Sequence, residues 1–310
     1  MLRRNFLRNT GLAGAALAAG LPADGMPGGG REFIDAHKAL RAAQGRLDNL
    51  RGASAVYASA TDHHRQVLAW RAAAPTTAER QRIAALAADT GGFVGFLSHD
   101  LGLHDRAVWH YRDAVEHAGQ AGDLSQRVNL LGQMSRIVNE SGHYSGARAL
   151  TDEALSLAGT KAHPAVRCWL HAVRAHHHAC LADTRACQSD LSAAWRLLAR
   201  ADDGEIPLYI GYLDAAEINK WVGHASLALS RFTPALLRPG RTAVQEAQDA
   251  WPAAHVRGRA ELLTVQARLH LVHGERDIAA EFAARAVAIA RNTGSARNLR
   301  AALTALPGRV

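Results

Sequence analysis

Gly102-Leu103-His104-Asp105-Arg106-Ala107-Val108-Trp109-His110-Tyr111-Arg112-Asp113-Ala114 decides the fold, because its spacing returns twice. Gly142, Ala147 and Ala154 repeat it, and Gly274, Ala279 and Ala286 repeat it again. Each glycine is followed by an alanine five residues on and by a second seven residues later. Ala186 and Ala193 keep the seven-residue step without a glycine, so Ala107, Ala147 and Ala186 recur at steps of 40 and 39. A glycine ends a helix where a left-handed conformation is needed. Five residues later the next helix has turned back on the first. Seven residues is two helical turns, so both alanines lie on one face and let the partner approach closely. Each unit therefore reads as an antiparallel helical hairpin.

The rest of the chain agrees. Of 310 residues, 48% are hydrophobic but only 5% are aromatic, so alanine and leucine fill the core. Alanine is the best helix former, and β-branched runs are scarce, which predicts an all-α class. The spacing predicts a lead-in helix carrying Leu40, Leu47 and Leu50 on one face, and a second helix from about Ser54 to Ala73. Pro75-Thr76-Thr77 then breaks the chain and supplies a cap. Ala216 and Gly223 mark a fourth first helix. Phe232-Thr233-Pro234 and Arg238-Pro239-Gly240 interrupt the chain after it, placing its partner near Thr242 to Ala250. Ser295 to Leu306 reads as a capping helix over the last apolar face. The expected layout is a leader and flexible linker over 1–30 and a repeat domain over 31–310. Within that domain come lead-in helices (31–75), about five hairpins (77–292) and the cap (295–306).

This pattern resembles the tetratricopeptide repeat (TPR). The resemblance implies a right-handed superhelix of antiparallel hairpins. It also implies a small residue seven positions before each glycine, matched by Gly95, Ser135 and Ala267, and an aromatic matched by Tyr111. The third repeat departs, with Arg174 and Leu181 at its small-residue positions. From Phe33 to Leu306 the chain also looks like the C-terminal sensor half of bacterial regulators that join a helix-turn-helix to a TPR-like domain. The order of features carries this likeness: Leu47-Asp48-Asn49-Leu50, then Gly92 to Gly102, Asp214-Ala215-Ala216-Glu217 with Trp221, and Arg257-Gly258-Arg259-Ala260. No helix-turn-helix precedes them.

In such arrays the first helices line the concave side. The resemblance places Asp89, Phe96, His99 and Asp100 there from the first repeat, and Asn129, Arg136, Asn139 and Glu140 from the second. His171 and His178 follow, then Glu217, Lys220 and Trp221, and finally Glu261, Thr264 and Arg268. Asparagine both donates to and accepts from a peptide amide, and arginine clamps a carboxylate. Asn129, Arg136 and Asn139 are the leading ligand contacts. The expected partner is a peptide or protein held in this groove, with a homodimer left open.

Net charge is +8, and only Lys38, Lys161 and Lys220 are lysines. The arginines neither cluster nor interleave with aromatics, so the charge does not point to direct nucleic-acid binding. Arg3-Arg4-Asn5-Phe6-Leu7-Arg8, with the apolar stretch from Gly11 to Leu21, resembles a twin-arginine export signal and is too short for a permanent membrane span. Similar segments join the two domains of cytoplasmic regulators. A cytoplasmic location is the leading expectation, and export using residues 1–23 is the alternative.

Chemistry finds little footing. Cys168, Cys180 and Cys187 are too few and too close for a disulfide framework. His171, His176, His177 and His178 with Cys168 and Cys180 offer pairs at helical spacing, but the pairs point in different directions, so no metal is expected. His63-His64 diverge on their helix. There is no nucleophile elbow, and Gly28-Gly29-Gly30 has no Walker lysine. The expectation is a non-enzymatic, cofactor-free binding protein tied to transcriptional control through a partner.

Overall fold

The computed structural model describes residues 30–201 and 206–306. The leader and all but the last residue of the linker lie outside them. Among the described residues the chain forms thirteen α-helices: α1 (Gly30–Arg51), α2 (Tyr57–Ala73), α3 (Thr77–Asp100), α4 (His104–Ala121), α5 (Leu124–Glu140), α6 (Tyr144–Ala158), α7 (Pro164–Cys180), α8 (Thr184–Ala201), α9 (Ala215–Leu229), α10 (Leu237–Ala250), α11 (Val256–Val272), α12 (Arg276–Asn292) and α13 (Ala296–Leu303). They pack as consecutive antiparallel pairs, α3 with α4 through α11 with α12, and each pair's first helix also touches the next pair's first helix.

Local chemistry sets the boundaries. Thr76 caps α3: its hydroxyl accepts from the Glu79 N–H at 3.2 Å, while the Glu79 carboxylate accepts from the Thr76 N–H at 3.3 Å. This reciprocal box satisfies two otherwise orphaned donors. Gly102, Gly142 and Gly274 bend the chain at φ of 77°, 82° and 85°. Ala107, Ala114, Ala147, Ala154, Ala279 and Ala286 are fully buried. Gly95 lies so close to Tyr111 that an added Cβ would stand 3.0 Å from the ring. Ala107→Trp should therefore overpack the α3–α4 contact and cost about 1–3 kcal/mol or more. A thermal midpoint equal to wild type would show that this face does not pack.

The third hairpin corrects the expected register by one residue. Ala182 takes the bend at φ 63°, the one non-glycine residue with positive φ among the described residues. Cys187 and Ala194 take the buried positions, with Ala175 seven before the bend. Ala107, Ala147 and Cys187 thus recur at steps of 40 and 40. A buried cysteine behaves as a small hydrophobe, so it fits an alanine's site. The fourth hairpin is also corrected. Its second helix starts at Leu237, straight from a 3-10 turn at Pro234–Leu236. Pro239 falls in the first turn, where its missing N–H leaves nothing unpaired.

The two ends of the array meet. α1 packs on α3 and α11, and α13 packs on α3. Gly52 has φ 86°, and a Cβ there would lie 1.8 Å from the Thr293 carbonyl oxygen. Ser295, the cap of α13, donates its hydroxyl to Asp100 Oδ1 at 2.7 Å, across 195 residues of sequence. α1 turns inward a polar face of His37, Arg41, Gln44 and Asp48, while Leu47 and Leu50 are 43% and 49% exposed. The leucine face of this helix is thus not its core face, because what it covers is polar.

Candidate central cavity

α1, the first helices α3, α5, α9 and α11, and the segment around Tyr209 and Tyr212 line a half-open cavity of about 310 Å³. That is at the lower end of the range typical of small-ligand sites, ~300–1,000 Å³. α5 supplies its polar wall. Asp123 caps this helix, accepting from the Gln126 N–H at 2.8 Å. Gln126, Asn129, Gln133 and Arg136 come at steps of three, four and three, so all four share the face that lines the cavity.

Charge at the centre is organised around two groups. The Glu261 carboxylate lies 3.2 Å from Arg297, 3.3 Å from His224, 3.5 Å from Lys220 and 3.7 Å from Arg136. Burial alone would raise this carboxyl, but Lys220, Arg297, His224 and Arg136 hold it well below the usual range. Arg297 in turn reaches Glu140 at 3.1 Å and Asp100 at 3.9 Å. Five helices are thereby tied by one ionic network. Arg257 pairs with Asp48 at 3.3 Å, bringing together two of the short segments whose order resembled the regulator group. Asp214, from a third, caps α9. Its neighbour Glu217 accepts from Trp221 Nε1 at 3.0 Å and pairs with Lys220 at 2.9 Å.

The expected ligand contacts divide. Asn129, Arg136 and Glu217 line the cavity. Asn129 is 3% exposed, and its side-chain oxygen has no hydrogen-bond partner among the described residues. Arg136 is engaged by Glu261 and by Gln133 at 3.3 Å, and sits over the Trp221 ring. Trp221 is buried behind the lining against His176 and His224. Asn139 is buried but outside the lining. Arg268 donates to the Ala301 carbonyl and the Thr304 hydroxyl near the C-terminal helix. His171 and His178 face Asp190 on α8, at 2.7 and 3.7 Å, beside Arg174. No residue of α7 lines the cavity, and in the corrected register the α7 position equivalent to Arg136 is His176.

Sequence reasoning missed Arg41, Asp48, Tyr209, Tyr212, Arg257 and Arg297 as lining residues. The step pattern along α5 was a signal for Gln126 and Gln133. Nothing local marks the others, since their partners lie far along the chain.

Near the histidine run, Cys180 Sγ lies 3.5 Å from His176 Nε2, while Cys168 donates to the Ala194 carbonyl oxygen on another side. Burial pushes the Cys168 and Cys187 thiols up to about 12 and Cys180 to about 11, so all three are neutral. Among the described residues no helix is long and apolar enough to cross a membrane. No protein-family model matches the chain, and no curated protein matches it.

Proposed function

We propose that the chain is a non-enzymatic, TPR-like binding module whose central cavity takes a short peptide segment. Asn129 carries this reading. It is a buried amide with an unpaired oxygen, in a row with Gln126 and Gln133. An unpaired buried polar group costs about 1–3 kcal/mol, and a turn of the Asn129 side chain toward the cavity would let a peptide N–H relieve it. Glutamine and asparagine side chains match backbone amides in both directions. The resemblance to regulator sensor domains adds the context: a cytoplasmic protein that alters transcription through a partner when its cavity fills.

Equilibrium dialysis of the full chain against a pool of short peptides tests it. Wild type should retain peptides, and Asn129→Leu should weaken retention about tenfold or more, matching ~1.4 kcal/mol for one buried hydrogen bond. Retention that is absent, or unchanged in Asn129→Leu, would sink the reading. Export is the alternative, favoured by Arg3-Arg4 and the apolar stretch behind them. An intact mass starting near residue 24 in secreted protein would establish it.

A further inference from the structure

We infer that the outer face of α1 pairs with the same face of a second copy of this chain, as an antiparallel helix pair about a two-fold axis at Ala43. This is independent of what the cavity holds.

α1 has two faces. His37, Arg41, Gln44 and Asp48 are buried on the inner one. On the outer one, Ala36, Ala39, Ala43, Leu47 and Leu50 follow at steps of three, four, four and three, which keeps them on one continuous stripe. Ala36 and Ala39 are exposed, Ala43 is half-buried, and Leu47 and Leu50 are nearly half exposed. A lone surface leucine is ordinary, but an apolar stripe over about 21 Å of helix marks a contact surface.

The stripe is complementary to itself. Its steps read the same in both directions about Ala43, so an antiparallel copy presents the same spacing. Reversal sets Ala36 opposite Leu50 of the second copy and Ala39 opposite Leu47 of the second copy, while the two Ala43 side chains meet at the axis. Each leucine thus finds an alanine across the seam, the alternation of large and small that lets facing helices interdigitate. A parallel copy would set leucine against leucine at one end and alanine against alanine at the other. Charge follows the same symmetry. Glu32 and Asp35 are exposed toward the N-terminal end, and Arg46 and Arg51 toward the C-terminal end. Reversal lays the acidic end of one helix along the basic end of the other. Glu32 and Arg51 also answer the helix dipole, but that effect fades within a turn, and Asp35 and Arg46 lie farther in. Lys38, the other exposed cation, sits off the stripe, and its charge is felt by Asp89 on α3. One helix seam is a small interface, so the dimer forms reversibly at micromolar concentration.

Sedimentation velocity of the full chain across micromolar concentrations tests it. Wild type should pass reversibly from monomer to dimer. Leu47→Glu with Leu50→Glu should stay monomeric, with the circular dichroism of wild type, because both side chains already meet solvent. Glu32→Arg with Asp35→Arg should weaken association by about tenfold or more, and adding Arg46→Glu with Arg51→Glu should restore it. Ala43→Cys should cross-link to itself on mild oxidation, whereas Leu50→Cys should do so only when mixed with Ala36→Cys. A wild type that stays monomeric overturns the inference and leaves the face to another occupant, such as residues 1–29. A dimer untouched by Leu47→Glu with Leu50→Glu forms elsewhere on the molecule and overturns it too. Should the charge reversals fail to fold, a dimer in which Ala43→Cys does not cross-link overturns the antiparallel pairing by itself.

Discussion

Arg297→Ala is expected to destabilise the folded chain by about 3–5 kcal/mol, the usual consequence of removing one partner from a buried ion pair. Arg297 stands between Glu261, Glu140 and Asp100, and its side chain is 11% exposed. Truncation leaves Asp100, which is fully buried at its side chain, short of a positive neighbour. It also removes the ion pairs that tie α13 to Glu140 on α5 and Glu261 on α11. Urea unfolding followed by circular dichroism measures the effect. A loss below about 1 kcal/mol would mean that the network is solvated and holds little together. Arg297→Lys keeps the charge but not the forked geometry, so it should recover only part of the loss.

Lowering the pH from 7.5 to 5 should weaken the chain by several kcal/mol. Burial holds His37 and His64 at about 4 and His63 and His177 at about 3, with neighbouring positive or imidazole groups adding to the effect on the last two. His37 Nδ1 lies 2.9 Å from His63 Nε2, and His64 lies 2.9 Å from the Thr90 hydroxyl, with Asp113 at 3.9 Å offering only partial compensation. The unfolded chain therefore binds protons below its ordinary histidine value of about 6.5 that the folded chain refuses. Stability is complete above that value and falls as the pH drops toward 4. Each group contributes ~2 kcal/mol of loss at pH 5. Glu140 and Glu261 act in a lower window, because their depressed carboxyls lose stability only as the pH falls below the ordinary glutamate value. Equal urea midpoints at pH 7.5 and 5 would show that these imidazoles titrate normally.

The hairpins were legible because close helix packing leaves a local trace. Gly102 and Ala107 are near in sequence and near in space, and the same demand recurs in each unit. The third register was misread by one residue because Ala182 and Cys187 meet that demand with other side chains. An alanine tolerates the left-handed bend at a cost of roughly 1–2 kcal/mol. α1 misled for a different reason. Apolar periodicity assumes an apolar interior, whereas His37, Arg41, Gln44 and Asp48 face a polar one. In the cavity, Asn129, Arg136 and Glu217 were readable from their places on first helices. Asp48 with Arg257, and Asp100 with Arg297, were not, since pairing across some 200 residues imposes no spacing on either partner.

The meeting of the two ends has a consequence for the chain as it is made. Synthesis delivers α1 and α3 first, with Asp48 and Asp100 waiting for partners on α11 and α13. In an open solenoid, each unit settles against the last and folding can keep pace with translation. Here the final lock arrives only with Ser295 and Arg297, close to the end of the described chain. A nascent or prematurely terminated product would keep unmatched carboxylates and an unseated first helix. Completion of the cavity is thus a check on progress along the chain: its lining is whole only once synthesis has passed Arg297.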